Sequence, residues 1–98
     1  MYRVTLKLTR PNTTVLWDDP TSDADVYEVL YQAAARNISV DQRFSDDRLS
    51  MSIIWVSPSQ EVWDEFSTQY LRKDGELDDA WYKSNDIQFE IVKENIND

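Results

Sequence analysis

The side chains of this sequence best able to do chemistry are carboxylates, and they come in clusters. Asp18, Asp19, Asp23 and Asp25 crowd one segment, while Asp74, Glu76, Asp78 and Asp79 surround Gly75, the single glycine of the chain. Oxygen donors at such density could suit Ca²⁺ or Mg²⁺. The first group lacks the glycine and the spacing of a calcium loop, and in the second no acid stands where the twelve-position pattern must close. The first group is read as favouring a helix start and solubility, and no metal site is expected from either. Neither Cys nor His occurs. Their absence removes disulfides, thiolate nucleophiles, zinc ribbons, iron–sulfur clusters, His-centred relays and His-ligated haem. Any acid or base would be a carboxylate, Tyr or Lys with a displaced pKa. One glycine cannot build a dinucleotide or P-loop phosphate cradle. Neither a catalytic residue nor a cofactor is expected.

The charge balance narrows the partners. Ten basic residues oppose nineteen acidic ones, for a net charge of −9, and residues 17–98 hold seven of the bases and all nineteen acids. Such a field repels phosphate backbones and anionic lipid surfaces, so direct nucleic-acid or membrane binding is not expected. It suits solubility, a basic protein partner, or an acidic inhibitor that imitates nucleic acid. No apolar run approaches the roughly 20 residues of a membrane helix. The alternating start Met1-Tyr2-Arg3-Val4-Thr5-Leu6-Lys7 does not read as a secretory signal. A cytoplasmic location is expected.

Ninety-eight residues, twelve of them aromatic, fit one domain spanning residues 1–98. Tyr2, Val4, Leu6 and Leu8 alternate with polar residues, the period of a half-buried strand. A long connection through Trp17 follows, which packs over the core through that ring. A helix is expected from about Asp23 to Arg36, with Val26, Leu30, Ala33 and Ala34 on its apolar side and Thr21-Ser22-Asp23 supplying caps. Ile38 to Phe44 and Leu49 to Trp55 alternate as two more strands, joined by a polar turn at Ser45-Asp46-Asp47-Arg48. Ser57 then caps a second helix, with Pro58 at its first position and Gln60 completing a capping box, running to about Leu71 on Val62, Trp63, Phe66 and Tyr70. Glu76 to Lys83 suits a short third helix. Ile87, Phe89 and Ile91 mark the last strand, before a frayed polar tail from Asn95 to Asp98.

Strand, helix, strand, strand, helix, strand is the order of the split βαβ. The expected fold is α+β: a ferredoxin-like βαββαβ domain with a four-stranded antiparallel sheet and two helices on one face. The opposite sheet face then carries Arg3, Thr5, Lys7, Ser39, Asp41, Arg43, Ser50, Ser52, Ile54, Gln88, Glu90 and Val92, with Val56 beside them. It lacks the aromatic residues and the basic field that RNA-binding sheets of this topology use. Ile54, Val56 and Val92 form an apolar strip that exposure to water disfavours. The expected partner-binding residues are Arg3, Thr5, Lys7, Arg43, Ser52, Ile54, Val56 and Val92, and the expected partner is a second copy, as a homodimer or higher homo-oligomer. The four tryptophans are assigned to the core. Tyr27 and Tyr31, one helical turn apart, are assigned to half-buried packing at its edge.

The run Ile53-Ile54-Trp55-Val56-Ser57-Pro58-Ser59-Gln60-Glu61-Val62-Trp63-Asp64-Glu65-Phe66 resembles the strand-to-helix passage of the small dimeric α+β barrel proteins typified by antibiotic-biosynthesis monooxygenases. The run is 14 of the 98 residues, and with the order of elements, on which the likeness also rests, it extends to about a third of the chain. It implies a homodimer joined through the sheets and, in some members, cofactor-free oxygenation or haem degradation. The haem branch uses a His ligand that this sequence lacks. A small-molecule binder or enzyme of that class is therefore the alternative to a non-enzymatic assembly domain. Val4-Thr5-Leu6-Lys7-Leu8-Thr9-Arg10-Pro11-Asn12, Trp17 and Ser45-Asp46-Asp47-Arg48-Leu49 resemble small proteins of tailed phages infecting marine cyanobacteria. That resemblance implies a phage-encoded protein acting in the virion or in the host cytoplasm.

Overall fold

The alternation that writes the strands also fixes which side of the sheet is dry. The computed structural model describes residues 1–17, 26–71 and 79–96. Within them run β1 (Tyr2–Thr9), α1 (Val26–Ala35), β2 (Ser39–Phe44), β3 (Ser50–Ser57), α2 (Gln60–Tyr70), α3 (Asp79–Ser84) and β4 (Gln88–Asn95). The four strands form one sheet in the order β2-β3-β1-β4, every neighbour antiparallel. This is an α+β fold with three helices, the third short. The expected starts of the first and third helices, Asp23 and Glu76, lie outside the described residues, as do Asp18, Asp19 and Asp25 and the cluster at residues 74–78.

On β1, Tyr2, Val4, Leu6 and Leu8 are buried. Antiparallel pairing puts Trp55, Ile53 and Met51 beside Val4, Leu6 and Leu8 on one flank, and Ile91 and Phe89 beside Leu6 and Leu8 on the other. The helices cover this side in two clusters. Trp63, Phe66, Ala33 and Ile38 close over Tyr2 and Val4, and Tyr82, Ile87 and Met51 close over Leu6 and Leu8. Each fully buried large apolar side chain contributes roughly 1.5–3 kcal/mol. Trp17 packs against the second cluster, with the Arg10 guanidinium 4.4 Å from its ring centre. The Trp81 indole donates to the Leu16 carbonyl at 2.9 Å. The described part of the connection after β1, residues 10–17, is thus fastened by its own aromatic residue, as its sequence suggests.

Two helix-to-strand passages use the same device. At the end of α1, the Ile38 N–H donates to the Ala33 carbonyl at 2.9 Å and the Asn37 N–H to the Ala34 carbonyl at 3.0 Å. At the end of α3, the Ile87 N–H donates to the Tyr82 carbonyl at 2.9 Å. Asn37 and Asp86 take the left-handed backbone that such a stop requires, with φ of 59° and 57°. The isoleucine that follows each is 4% exposed and packs back onto the core. The sequence states the device twice, as Asn-Ile-Ser-Val and Asp-Ile-Gln-Phe.

Three local expectations are corrected. The second helix is capped by Ser59, whose Oγ accepts from the Val62 N–H at 3.2 Å, and not by Ser57. Ser57 is instead the last residue of β3, opposite Tyr2, and Pro58 precedes the cap. The cross-strand ladder to β1 holds the chain extended two residues further than the local signal suggests. On α1 the inward residues are Val29 and Ala33, while Leu30 is 43% exposed and Ala34 is exposed. Tyr27 and Tyr31, at 87% and 68% exposed, stand in solvent and do not pack at the core edge. Finally, Asn95 belongs to β4, and Ile96 exchanges backbone hydrogen bonds with Met1 at 2.9 and 3.2 Å. The chain is paired there, and only residues 97 and 98 of the expected frayed tail lie outside the description.

Candidate functional site

Odd-numbered residues of β1 and their partners make the open face. The register writes it as rows running across β2, β3, β1 and β4. Ser39, Val56, Arg3 and Glu94 form one row; Asp41, Ile54, Thr5 and Val92 the next; Arg43, Ser52, Lys7 and Glu90 the third. The expected division into a covered and an uncovered side holds on β1 and β3, but on β2 every residue is exposed, Val40 included, and on β4 Phe89 is 37% exposed, because these two strands are the sheet's edges. Among the described residues no helix covers these rows.

A shallow concavity of about 230 Å³ lies at their centre, lined by Arg3, Thr5, Lys7, Ile54, Val92 and Glu94. Its floor is Thr5, flanked by the half-buried Ile54 and Val92 in register on both sides. Its upper rim is an ion pair: Arg3 Nε donates to Glu94 Oε1 at 2.9 Å, and a second guanidinium nitrogen bonds the same oxygen. Both side chains remain 41% exposed, so the pair orients more than it stabilises. At the lower rim stands Lys7, and among the described residues no carboxylate lies within ion-pair distance of its ammonium. Outside the concavity, Arg43 Nε donates to Asp41 Oδ2 at 2.8 Å on the same strand.

Of the sequence-derived residues, Arg3, Thr5, Lys7, Ile54 and Val92 line the concavity, and Val56 and Ser52 adjoin it in the neighbouring rows. Arg43 lies apart on β2, engaged with Asp41. Glu94 was missed, although continuing the alternation Glu90, Val92 by one step would have placed it opposite Arg3.

The charges on this face cancel: Arg3, Lys7 and Arg43 stand against Asp41, Glu90 and Glu94. The chain as a whole carries −9. The open face is thus neutral ground on an acidic molecule, free of the net repulsion that the rest of the surface exerts on a like-charged partner.

Among the described residues, the hairpin between β2 and β3 holds the one carboxyl whose titration clearly moves. The Ser45 hydroxyl donates to Asp47 Oδ1 at 2.7 Å and the Leu49 N–H donates to the same oxygen at 3.0 Å. The Ser45 bond first, then that of Leu49, hold the carboxyl below its ordinary value by favouring the ionised form. This is turn architecture at the sheet's end, away from the concavity. Among the described residues no group of acids converges as metal ligands, and no helix is long and apolar enough to cross a membrane.

No known protein family matches the chain, and no curated protein matches it.

Proposed function

We propose that the chain is a ferredoxin-like assembly domain whose open sheet face binds a second copy of itself. The strand order β2-β3-β1-β4 and the helices gathered on one side support that fold, with α3 an addition before β4. The observation that carries the functional reading is the composition of the uncovered face: an apolar centre of Ile54 and Val92 ringed by charges that sum to zero. A surface meant only for water on an acidic protein has no need of a neutral, semi-apolar centre. A catalytic site would call for an enclosed space, whereas this one is broad and open.

Size sets the terms of association. Strands of eight residues at about 3.3 Å each, four abreast at about 4.8 Å, give a face of roughly 500 Å² in projection. Stable complexes bury about 800 Å² of accessible surface per partner, so the strip alone is too small and nearly the whole face must be covered. Aligned packing of two sheets about 10 Å apart achieves that. The resemblance to dimeric α+β barrel proteins, which join through their sheets, points the same way.

Light scattering coupled to gel filtration at tens of micromolar tests the reading. The wild-type chain is expected above monomer mass, and I54D combined with V92D is expected to weaken association at least tenfold, the effect of about 1.4 kcal/mol. A wild-type monomer at that concentration, or association indifferent to the two aspartates, would overturn it.

A further inference from the structure

The sheet has a second exposed feature, its free edge at β2. β2 ends the sheet on one side, and all six of its residues are exposed. On the helix-side face of this strand stand Val40 and Phe44, 36% and 41% exposed. On the other face stand Asp41 and Arg43. Both stay partly open to solvent, Phe44 with the Arg48 guanidinium 5.0 Å from its ring centre, and the outward side of α1 shows Tyr27, Leu30 and Tyr31.

The backbone determines what this edge can accept. The Ser45 N–H donates to the Ser50 carbonyl at 3.0 Å, so Ser45 and Ser50 form a hydrogen-bonded pair. Alternation along an antiparallel ladder then turns Arg43, Asp41 and Ser39 toward β3 and leaves the N–H and C=O groups of Val40, Gln42 and Phe44 pointing outward. The bond from the Arg10 N–H to the Leu49 carbonyl, 2.9 Å, fixes the same phase from the other side of β3. Among the described residues no strand pairs with these outward groups.

We infer that β2 is a self-pairing edge that joins two copies of the chain antiparallel about a two-fold axis through Gln42. In that register Val40 and Phe44 of one copy meet Phe44 and Val40 of the other, and Gln42 meets itself. These are the residues with outward backbone groups, so the three pairs exchange six backbone hydrogen bonds. On the opposite face, Asp41 of each copy stands against Arg43 of the other, at the closely spaced, non-hydrogen-bonded positions. Shifting the axis to Asp41 or to Arg43 sets like charges against each other. Only the register about Gln42 satisfies backbone, charge and apolar matching together.

On the opposite edge no in-phase register sets opposite charges against each other: an axis through Ile91 pairs Glu90 with Val92 and Phe89 with Lys93. On β4 an axis through Val92 would oppose Glu90 and Glu94 of the two copies, and an axis through Lys93 would oppose two lysines. The interface is isologous and closes on itself, giving a continuous eight-stranded sheet with the helices of both copies on one side. It uses neither Ile54 nor Val92, so it stands or falls apart from the open-face reading.

Cysteine cross-linking tests the register, because the chain has no native Cys. In the proposed pairing, residues 41 and 43 of different copies have Cα atoms about 4.5 Å apart, within disulfide range. Two copies of residue 41, or two of residue 43, lie about 8 Å apart, beyond it. With oxidised glutathione added as the two-electron acceptor, itself reduced to two thiols, D41C mixed with R43C is therefore expected to form covalent dimers at least tenfold faster than either alone, because pairing raises the local thiol concentration. Both positions are exposed, so the variants fold. A charge series gives a second reading: R43D should abolish edge pairing, and D41R/R43D should restore it. Equal cross-linking in the mixture and in the separate variants overturns the inference, as does a doubly swapped chain that pairs no better than R43D. I54D/V92D must leave the cross-linking ratio intact; if it falls to that of the separate variants, the edge is not an independent interface.

Discussion

Trp63 sits at the centre of the larger core cluster, 1% exposed, with its ring centre 5.5 Å from that of Trp55 and 5.7 Å from that of Phe66. Its indole Nε1 is buried and meets no hydrogen-bond acceptor among the described residues. A buried donor without a partner costs about 1–3 kcal/mol. Trp63→Phe removes that cost together with three ring atoms. The atoms lost open a space of roughly 40 Å³, worth about 1 kcal/mol at ~24 cal/mol per Å³, with lost transfer energy of about the same size. Gain and loss nearly cancel, and the net change is expected within about 1 kcal/mol of zero. Trp63→Leu forfeits the ring contacts as well, each worth about 0.5–1.5 kcal/mol, and is expected to cost about 2–3 kcal/mol. Urea unfolding followed by far-ultraviolet circular dichroism separates the two, since 1 kcal/mol moves the midpoint by about 1 M for a small domain. Protein concentration must be held fixed, because association feeds into apparent stability. A loss above about 3 kcal/mol for Trp63→Phe would mean that the indole N–H has a partner, and the reasoning would fail.

Ser59→Ala removes the α2 cap and should cost about 1 kcal/mol, lowering Tm by about 4–8 °C; Pro58→Ala, outside the helix, should change little, and the reverse ranking in a thermal melt would restore Ser57 as the cap. Asn37→Val and Asp86→Val force a branched side chain into left-handed backbone and should each cost more than about 1 kcal/mol, while glycine at either position should be tolerated. Asp47 has its folded pKa below the unfolded value, so its contribution is present above the ordinary carboxylate range and is lost as pH falls through the folded value. Asp47→Asn should therefore flatten the acid limb of a stability–pH profile below about pH 4 and leave its shape near neutrality unchanged; an unaltered acid limb would contradict the Ser45 and Leu49 bonds.

Much of the sheet was legible because period-two alternation is a local property that tertiary contacts preserve. Tyr2, Val4, Leu6 and Leu8 had one side available, and the structure uses it. The lining of the concavity follows from the same parity, Glu94 included once the alternation Glu90, Val92 is carried one step further. Legibility failed where an element's surroundings, and not its own pattern, decide. Val40 and Phe44 alternate as well as any strand, yet they stand exposed because β2 lies at the sheet's edge. The apolar residues of α1 admit two overlapping stripes at three and four spacing, and only α2 and the sheet beneath select Val29 and Ala33. The Ser57–Ser59 ambiguity has a similar origin: two serines flank one proline, and pairing with Tyr2 chooses between them.

The position of β1 has a consequence for how the chain comes into being. This strand leads the sequence but lies inside the sheet, and its partners are residues 50–57 and 88–95. Chains emerge from the ribosome at about 5–20 residues per second. Tyr2, Val4, Leu6 and Leu8 must therefore wait for seconds as an unpaired greasy ribbon, first for β3 and then for β4. The last-made strand seals the first-made one, so the domain reaches its native state only after nearly all of it has been synthesised, and a truncated product ending before residue 88 leaves one flank of its central strand bare to any passing strand.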